Sequence, residues 1–402
     1  MVAEGYKQTE VGVIPEDWEE GVIGDYISFN GGSQPDKSYF SSSSGKGKIR
    51  LIQIRDYKTD KYITYIPEAL ARRHCDENDI MIGRYGPPVF QILRGIKGSY
   101  NVALIKASPK DALVHDYAYY YLKNERLFRF IDKLSRRSSG QTGVDLVELK
   151  QYPLPLPPTL AEQEAIAGAL SDADGLIESL EQLIEKKRQI KQGAMQELLS
   201  PWVKEEEKGK GKKEKGAKPK LKEGWVEKTL GEIFSITAGG DLRVNEYSDT
   251  QSPSFSHPIY SNAIGNKGLY GYSSSCDYDS PAITITARGG VGHAEYRDTP
   301  FAAIGRLLVL IPKIKLDCRY VCEFIRLHIT FSSESTGVPQ LTAPQASAYD
   351  VKIPPVTEQT RIAAILGDMD DGISALESKL SKAKQIKQGM MQELLTGKTR
   401  LI

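Results

Sequence analysis

The chain has 402 residues, with 53 lysines and arginines against 52 aspartates and glutamates, so its formal net charge is +1. This length exceeds that of one ordinary domain and predicts at least two separate cores. The balanced charge excludes a chain-wide basic signal for nucleic acid, so any DNA contact must come from locally placed cations.

Four cysteines are too few for a disulfide framework in a chain this long, which favours a reducing compartment. The first 20 residues have no apolar run behind a basic start, so no signal peptide is predicted. The most apolar stretch, residues 301–312, is short and is interrupted by Arg306, so no membrane span is predicted. The sequence therefore predicts a cytoplasmic protein.

Residues 1–157 predict a strand-rich α+β domain. Short β-strands are indicated between turn-forming residues at 48–55, 79–83 and 101–107. A tyrosine-rich helical patch is predicted over residues 115–134. Prolines between residues 153 and 158 then end the strand-like segment and begin a helix.

Residues 224–354 predict a second domain of the same kind, with a strand at 282–286 and a helix at 318–328. Three residues of the first domain recur at an offset of 207, as Trp18, Gly24 and Gly32 against Trp225, Gly231 and Gly239. The segment from Gly83 to Gly86 occupies a place similar to that of Arg288 to Gly292. The net charge is +2 for residues 1–150 and −3 for residues 224–350, so neither domain is strongly basic.

The two domains are each followed by one copy of an internal repeat. Residues 162–200 and 358–396 align without a gap at an offset of 196, and 21 of the 39 pairs are identical. The block from 189 to 199 differs from that at 385 to 395 at one position only. Such a repeat indicates a duplicated chain, with the order domain, helix, domain, helix.

Apolar residues in both repeats recur in alternating steps of three and four, which is the heptad pattern of helices that pack on a partner. The predicted seam consists of Ile166, Leu170, Ile177, Leu180, Ile184, Ile362, Leu366, Ile373, Leu376 and Leu380. We predict that residues 158–200 and the first part of 355–402 form an intramolecular coiled coil of pseudo-twofold character. An antiparallel pairing keeps the ends of the second domain together. A parallel pairing, or two separate core helices, remains an alternative.

Two further features of this region each have two possible interpretations. Gly193 and Gly389 lie at matched places late in the helices, where either a bend or a close helix contact would explain them. Residues 201–223 are rich in Lys, Glu and Gly and are predicted to be a solvated linker, whose lysines could also touch DNA phosphates.

No catalytic or metal-binding signature is recognised, so no catalytic residue and no metal ligand is predicted. Cys318 and Cys322 lack the second ligand pair of a zinc site and are predicted to be buried thiols. Asp36, Asp56 and Lys58 fit the loose carboxylate-and-lysine pattern of magnesium nucleases, but this pattern has no counterpart in the second half. A nuclease is therefore kept only as a third alternative.

The chain resembles the specificity (S) subunit of type I restriction-modification enzymes over its whole length. The resemblance rests on the opening TEVGVIPEDWEEGVIGDYISFNGG, the segment NDIMIGRYG, and the transition YPLPLPPTLAEQEAIAGAL with its second copy IPPVTEQTRIAAIL. The two QIKQG-containing helix ends and the duplicated order of domain and helix add to it.

The resemblance implies two target-recognition domains that each read one half of a split, asymmetric DNA sequence. It also implies that the helices act as ruler and as docking surface for two methylation (M) subunits. Those partners would carry S-adenosylmethionine and flip the target adenine, and restriction (R) subunits would use ATP and magnesium. This chain is then a specificity component without a cofactor and without catalysis of its own. The alternative is a coiled-coil scaffold with two protein-interaction modules and no DNA role.

Candidate DNA-contacting residues were chosen because Arg, Asn and Gln can contact base edges, whereas Lys meets phosphates. They are Gln34, Lys37, Lys46, Lys48, Arg84 and Tyr85 in the first domain, and Asn262, Asn266, Lys267 and Arg288 in the second. The alternative for Arg84 and Arg288 is that they occupy matched positions and serve the shared fold. The serine loop from Ser41 to Lys48 is either a mobile loop that orders on DNA or a loop without a role.

Overall fold

The computed structural model describes residues 4–136, 143–203, 220–331 and 340–401. The chain divides into two compact units: unit 1 contains residues 1–181 and 378–402, and unit 2 contains residues 182–377. Each unit combines sheets with helices, so the predicted α+β class is confirmed.

Unit 1 has twelve described strands: β1 Tyr6–Thr9, β2 Gly12–Pro15, β3 Glu19–Val22, β4 Ile27–Gly31, β5 Lys48–Ile52, β6 Tyr65–Pro67, β7 His74–Cys75, β8 Ile80–Gly83, β9 Gln91–Leu93, β10 Gly98–Tyr100, β11 Leu104–Pro109 and β12 Pro153–Leu156. Its shorter helices are α1 Ile23–Tyr26, α2 His115–Leu122, α3 Glu125–Ser135 and α4 Leu146–Gln151. The long helix α5, Leu160–Leu198, begins in unit 1 and ends in unit 2.

Unit 2 has ten described strands: β13 Val226–Thr229, β14 Phe234–Ala238, β15 Tyr247–Ser248, β16 His257–Tyr260, β17 Leu269–Ser273, β18 Ala282–Ile285, β19 Ala294–Arg297, β20 Ala302–Ala303, β21 Leu308–Pro312 and β22 Asp350–Ile353. Its shorter helices are α6 Leu230–Ile233, α7 Cys318–His328 and α8 Ala343–Ser347. The long helix α9, Val356–Leu394, begins in unit 2 and ends in unit 1.

One four-stranded sheet has the same strand order in both units, whereas the second shares three strands, β6-β5-β10 and β17-β16-β20, and carries its fourth strand, β7 or β15, at opposite edges. In unit 1 the strand orders are β4-β11-β8-β9 and β6-β5-β10-β7, and in unit 2 they are β14-β21-β18-β19 and β15-β17-β16-β20. One parallel pair recurs in each second sheet, β5 with β10 and β16 with β20. Ile52 pairs with Tyr100 and Tyr260 pairs with Ala303, which fixes equivalent positions in the two units.

Two predicted strands differ from the structure, in each case because a polar side chain turns the backbone. Residues 48–55 end as a strand at Ile52, since Gln53 and Asp56 form a capping box around a short 3-10 helix. Residues 101–107 begin as a strand only at Leu104, because the Asn101 side chain accepts a hydrogen bond from the Ala103 backbone at 3.1 Å.

The two long helices pair antiparallel in each unit. In unit 1, Lys387 of α9 pairs with Asp174 of α5, and Lys384 pairs with Glu181 at 2.7 Å. In unit 2, Lys191 of α5 pairs with Asp370 of α9 at 2.6 Å, and Arg188 pairs with Glu377 at 2.6 Å. The residue numbers of the paired side chains rise along α5 as they fall along α9. The preferred antiparallel orientation is therefore confirmed.

The predicted seam residues lie on the covered face of these helices. Six are buried, namely Ile166, Leu170, Ile184, Ile362, Leu366 and Ile373. The other four, Ile177, Leu180, Leu376 and Leu380, are half-buried.

The end of each helix packs in a core that the sequence did not assign to it. Leu199, just after α5, is fully buried in the core of unit 2, together with Tyr320 and Leu366. Its repeat equivalent, Leu395, is fully buried in the core of unit 1, together with Ile166 and Leu170. Each recognition domain therefore completes its apolar core with the end of the long helix from the other repeat.

The predicted linker, residues 201–223, is only partly described, since residues 204–219 lie outside the described ranges. Its two ends pair with each other: Trp202 and Leu221 form an antiparallel bridge, and the Lys222 backbone donates to the Pro201 carbonyl at 2.8 Å. Pro201 is buried. The prediction of a solvated linker is therefore wrong for these ends, which belong to unit 2.

Gly193 and Gly389 are exposed, and a β-carbon at either position would meet no described atom within 4 Å. A close contact within the chain is therefore the wrong explanation for them. By contrast, a β-carbon at Gly32 would lie 1.9 Å from the Asn101 carbonyl oxygen, which requires glycine there.

We expect Gly193→Ala and Gly389→Ala each to stabilise the isolated chain by about 0.5–1 kcal/mol, because alanine is the better helix former. Urea unfolding followed by circular dichroism would measure this effect. Gly32→Ala is the matched control and should destabilise the chain. A loss of stability in both helix variants would contradict the open environment of these glycines.

Candidate functional site

In unit 2, two loops that contain predicted DNA-contacting residues lie against each other. The first follows β16 and covers residues 261–268, and the second joins β18 to β19. The Asn262 side chain links them, since its Oδ1 accepts from the Ala287 backbone at 2.7 Å and its Nδ2 donates to the Gly305 carbonyl at 2.6 Å. Ile264 lies against Gly290, where a β-carbon would be 2.3 Å from the Ile264 Cδ1 atom. Asn262 thus shapes both loops.

The first loop presents Asn266 and Lys267 to solvent. Both have left-handed backbone conformations, with φ of 49° and 51°, and Gly268 follows at 78°. Such conformations favour glycine, are tolerated by asparagine and are costly for a residue such as lysine. The Lys267 carbonyl is held by the Arg297 guanidinium at 2.8 Å.

The second loop presents Arg288, which is exposed. Its Nε and one terminal nitrogen donate to the Gln340 Oε1 atom at 3.2 and 2.9 Å. Among the described residues, Gln340 is the one acceptor for this side chain. A guanidinium has five N–H donors in a fixed plane, so an oriented Arg288 keeps donors for a base edge or a phosphate.

The strand register corrects the expected correspondence between Arg84 and Arg288. The Arg84 carbonyl accepts from the Val144 backbone at 3.0 Å, and the Ala287 carbonyl accepts from the Leu341 backbone at 2.9 Å. Arg84 is therefore equivalent to Ala287, and Tyr85 is equivalent to Arg288. The alternative that both arginines serve the shared fold from matched positions is wrong.

In unit 1 the corresponding loop follows β8. The half-buried Arg84 places its guanidinium 5.6 Å from the centre of the Tyr85 ring. Tyr85 is 37% exposed and lies against Gly143, where a β-carbon would be 3.2 Å from the ring. The pair offers a cation and an aromatic face at the same strand end that carries Arg288 in unit 2.

The serine loop of unit 1 is ordered by its own contacts. Ser41 and Tyr65 exchange backbone hydrogen bonds of 2.9 and 2.8 Å, and Lys48 Nζ donates to Ser41 Oγ at 2.8 Å. Lys46 and Lys48 are both exposed. Of the two alternatives for this loop, these contacts favour neither a DNA role nor its absence, but they tie both ends of the loop to the rest of unit 1.

Beside the serine loop lies a groove of about 630 Å³ that the sequence analysis missed. Its walls include Arg55, Lys61 and Tyr62, with both cations within 5.6 Å of the Tyr62 ring centre. Tyr62 is 51% exposed. Interleaved cations and aromatic rings suit single bases and phosphates. The segment IRDYKTDKY carried this signal in its alternating cations and tyrosines.

The remaining two candidates of unit 1 lie between β4 and the serine loop. Gln34 is half-buried, and Lys37 is exposed on the short 3-10 helix Lys37–Tyr39. Among the described residues, no hydrogen bond links Gln34 or Lys37 to the Arg84–Tyr85 pair. The six candidates of unit 1 therefore lie on two separate segments.

The nuclease alternative finds no support in the geometry of its residues. Asp36 caps the 3-10 helix, and the hydrogen bond from the Ser38 backbone lowers the pKa of its carboxyl group. Asp56 is buried next to Arg50, and burial raises the pKa of its carboxyl group. Within the described ranges, no group of three His, Cys, Asp or Glu side chains could hold a metal ion.

The prediction that Cys318 and Cys322 are buried thiols is confirmed. Burial raises the pKa of each thiol to about 12, so both stay protonated at neutral pH. Among the described helices, none is long and apolar enough to cross a membrane.

Two similar α+β units, each of which contains exposed polar loops and parts of two antiparallel helices, define a duplicated recognition protein. The sequence matches the family described as type I restriction modification DNA specificity domain twice, over residues 15–190 and 222–388. The chain belongs to this family.

Relatives with full-length similarity agree with this assignment. The type I restriction enzyme MjaVIII specificity subunit of Methanocaldococcus jannaschii is 25% identical over 99% of this chain and 96% of its own length. A second protein of that organism, whose name describes the specificity subunit of the type I restriction enzyme MjaX, is 29% identical over 99% of this chain and 97% of its own length.

Solved structures share the fold. The type I restriction-modification S subunit from M. genitalium superposes with a TM-score of 0.63 at 19% identity, covering 94% of this chain and 96% of that chain. A chain from a study of complex assembly and conformational transition of the type I R-M system gives a TM-score of 0.52 at 14% identity, covering 96% and 99%. The recognition of the family from the sequence is confirmed.

Proposed function

We propose that this chain is the DNA specificity subunit of a type I restriction-modification complex and reads a split, asymmetric target. Unit 1 reads one half and unit 2 reads the other. The observation that carries the proposal is the double family match, one copy per repeat, on two units that share one four-stranded sheet order and three strands of a second sheet. The family is defined by DNA specificity, which favours this function over a scaffold without a DNA role.

Base contacts are proposed for the loops at the equivalent strand ends. In unit 2 these are the loops with Lys267 and Arg288, and in unit 1 the loop with Arg84 and Tyr85. The different residues at equivalent positions support different half-sites, because an arginine prefers guanine edges whereas a tyrosine ring stacks or contacts the backbone. The groove with Tyr62 adds cations to unit 1.

The partners are proposed to be two copies of one methylation subunit, docked on the repeated helices. Several residues that are identical in the two repeats are exposed in both copies and lie outside the described apolar cores of both units. They are Gln189, Ile190, Gly193 and Gln196 in α5, and Gln385, Ile386, Gly389 and Gln392 in α9. Ile190 is 50% exposed and Ile386 is 53% exposed. A surface kept identical in two copies suits two copies of the same partner.

In this assignment the chemistry belongs to the partners. S-adenosylmethionine, ATP and magnesium are proposed to bind the methylation and restriction subunits, and the complex is proposed to act in the cytoplasm. The net charges of +2 and −3 on the recognition segments are small, which supports the proposal that partner subunits contribute part of the DNA-binding affinity.

The function is tested by sequencing methylated sites in cells with and without this protein. We expect a bipartite motif with an unread spacer to be methylated only when the chain is present. Identical methylation in both strains would contradict the proposal.

The spacer gives a second test. Both long helices begin in one unit and end in the other, so we propose that their length sets the number of unread base pairs. Seven residues inserted into each helix add about 10 Å, or roughly three base pairs, at 1.5 Å per residue. The methylated motif should then contain a longer spacer with unchanged half-sites. An unchanged spacer in an active complex would contradict this role of the helices.

A further inference from the structure

Arg297, at the end of β19, is a buried arginine of unit 2 with an unusual set of partners. The residue is 4% exposed, and its guanidinium lies 3.5 Å from the centre of the Tyr260 ring. Among the described residues, no carboxylate lies within 4 Å of it. The neighbouring Arg326 is different, since it pairs with Glu323 at 2.6 Å and with Glu295 at 2.7 Å.

The donors of Arg297 connect the sheet to the first loop. Its Nε atom donates to Thr284 Oγ1 on β18 at 3.0 Å, and a terminal nitrogen donates to the Lys267 carbonyl at 2.8 Å. A charged donor forms stronger hydrogen bonds than a neutral one, and the Tyr260 ring compensates part of the buried charge. Arg297 therefore ties the loop backbone to a rigid strand.

The loop needs such a tie because its backbone is unfavourable. Asn266 and Lys267 are exposed, non-glycine residues in left-handed conformations. Their neighbour Gly268 is close-packed, since a β-carbon there would lie 2.8 Å from the Ser261 carbonyl oxygen. Without the Arg297 hydrogen bond, the two exposed residues have access to less costly conformations.

We propose that Arg297 is a positioning residue for DNA recognition, which fixes the loop with Asn266 and Lys267 in the one geometry that reads the half-site of unit 2. This inference rests on the proposed function. The position equivalent to Tyr260 in unit 1 is Ile52, as the registers of the two parallel strand pairs show, so the aromatic ring that faces Arg297 has no counterpart there. Among the described residues, this arrangement of Arg297 and Tyr260 is specific to unit 2, so its loss should affect one half-site.

The test uses the full chain in complex with its methylation subunits and a duplex library randomised at every position of both half-sites. Arg297→Gln removes the charge, and we expect discrimination to fall about tenfold at one or more positions of a single half-site. That half-site must be the one that Arg288→Ala alters. Arg297→Lys keeps the charge and one donor and should retain part of the discrimination.

The matched control is Arg243→Gln, which removes a surface arginine of unit 2 that pairs with Glu246 and Asp277. It should leave both half-sites unchanged. Equal loss at both half-sites, or full discrimination in a folded Arg297→Gln complex, would overturn the inference. If Arg297→Gln does not fold, full discrimination by Arg297→Lys overturns it equally. A wild-type complex without any bipartite preference would instead refute the proposed function.

Discussion

Replacing Arg400 with methionine is expected to destabilise unit 1 by about 2–3 kcal/mol, because it leaves a buried carboxylate without its counter-charge. Arg400 forms two hydrogen bonds with Glu162, at 2.5 and 2.9 Å, and two more with Asp17, at 2.9 and 3.1 Å. The Glu162 side chain is only 5% exposed. The C-terminal segment is thereby fastened to the start of α5 and to the segment before β3.

Hydrogen exchange of peptides from β2 and β3 would measure this loss for unit 1 separately. The repeat supplies a matched control, since Glu358 is the equivalent of Glu162 but pairs with the exposed Arg361. Arg361→Met should cost much less than Arg400→Met, because exposed ion pairs contribute little to stability. Equal losses in the two variants would contradict the role assigned to Arg400.

Gln163→Leu and Gln359→Leu are expected to destabilise units 1 and 2, respectively, by about 2–4 kcal/mol each. Gln163 is 1% exposed, accepts from the Val114 backbone at 2.8 Å and donates to the Ala112 carbonyl at 3.2 Å. Gln359 accepts from the Asp317 backbone at 2.9 Å and donates to the Pro354 carbonyl at 2.8 Å. Each substitution leaves two main-chain groups without a partner.

Thermal unfolding of the two variants would measure these losses. Gln192→Leu replaces an exposed glutamine of the repeat and should change stability by less than about 0.5 kcal/mol. A neutral Gln163→Leu variant would contradict the idea that these glutamines connect each long helix to its recognition domain.

The sequence predicted the features that arise from periodicity and repetition. Two long helices, their apolar seam and the α+β class were recognisable because heptads and duplications are visible along the chain itself. The repeat also showed that Ile190 and Ile386 are matched and identical, but the sequence did not show that both side chains are exposed.

Contacts between distant segments could not be predicted in this way. Leu199 and Leu395 look like ordinary helix residues, and only the fold shows that each is buried in the other recognition domain's unit. The predicted correspondence of Arg84 with Arg288 was wrong, because a one-residue offset between the two loops can be recognised only when the strand registers are known. Arg297 showed no signal, since a buried arginine and an exposed one are identical in a sequence.

The central claim, that each unit reads its own half of a split target, is tested most directly by the methylated motifs of two double variants in cells. One carries Arg84→Ala with Tyr85→Ala, and the other carries Lys267→Ala with Arg288→Ala. We expect each to relax or change the bases of one half-site, a different half for each variant, while the other half and the spacer stay as in the wild type. If both variants alter the same half, or if neither alters any base in an active complex, the two-reader account is wrong.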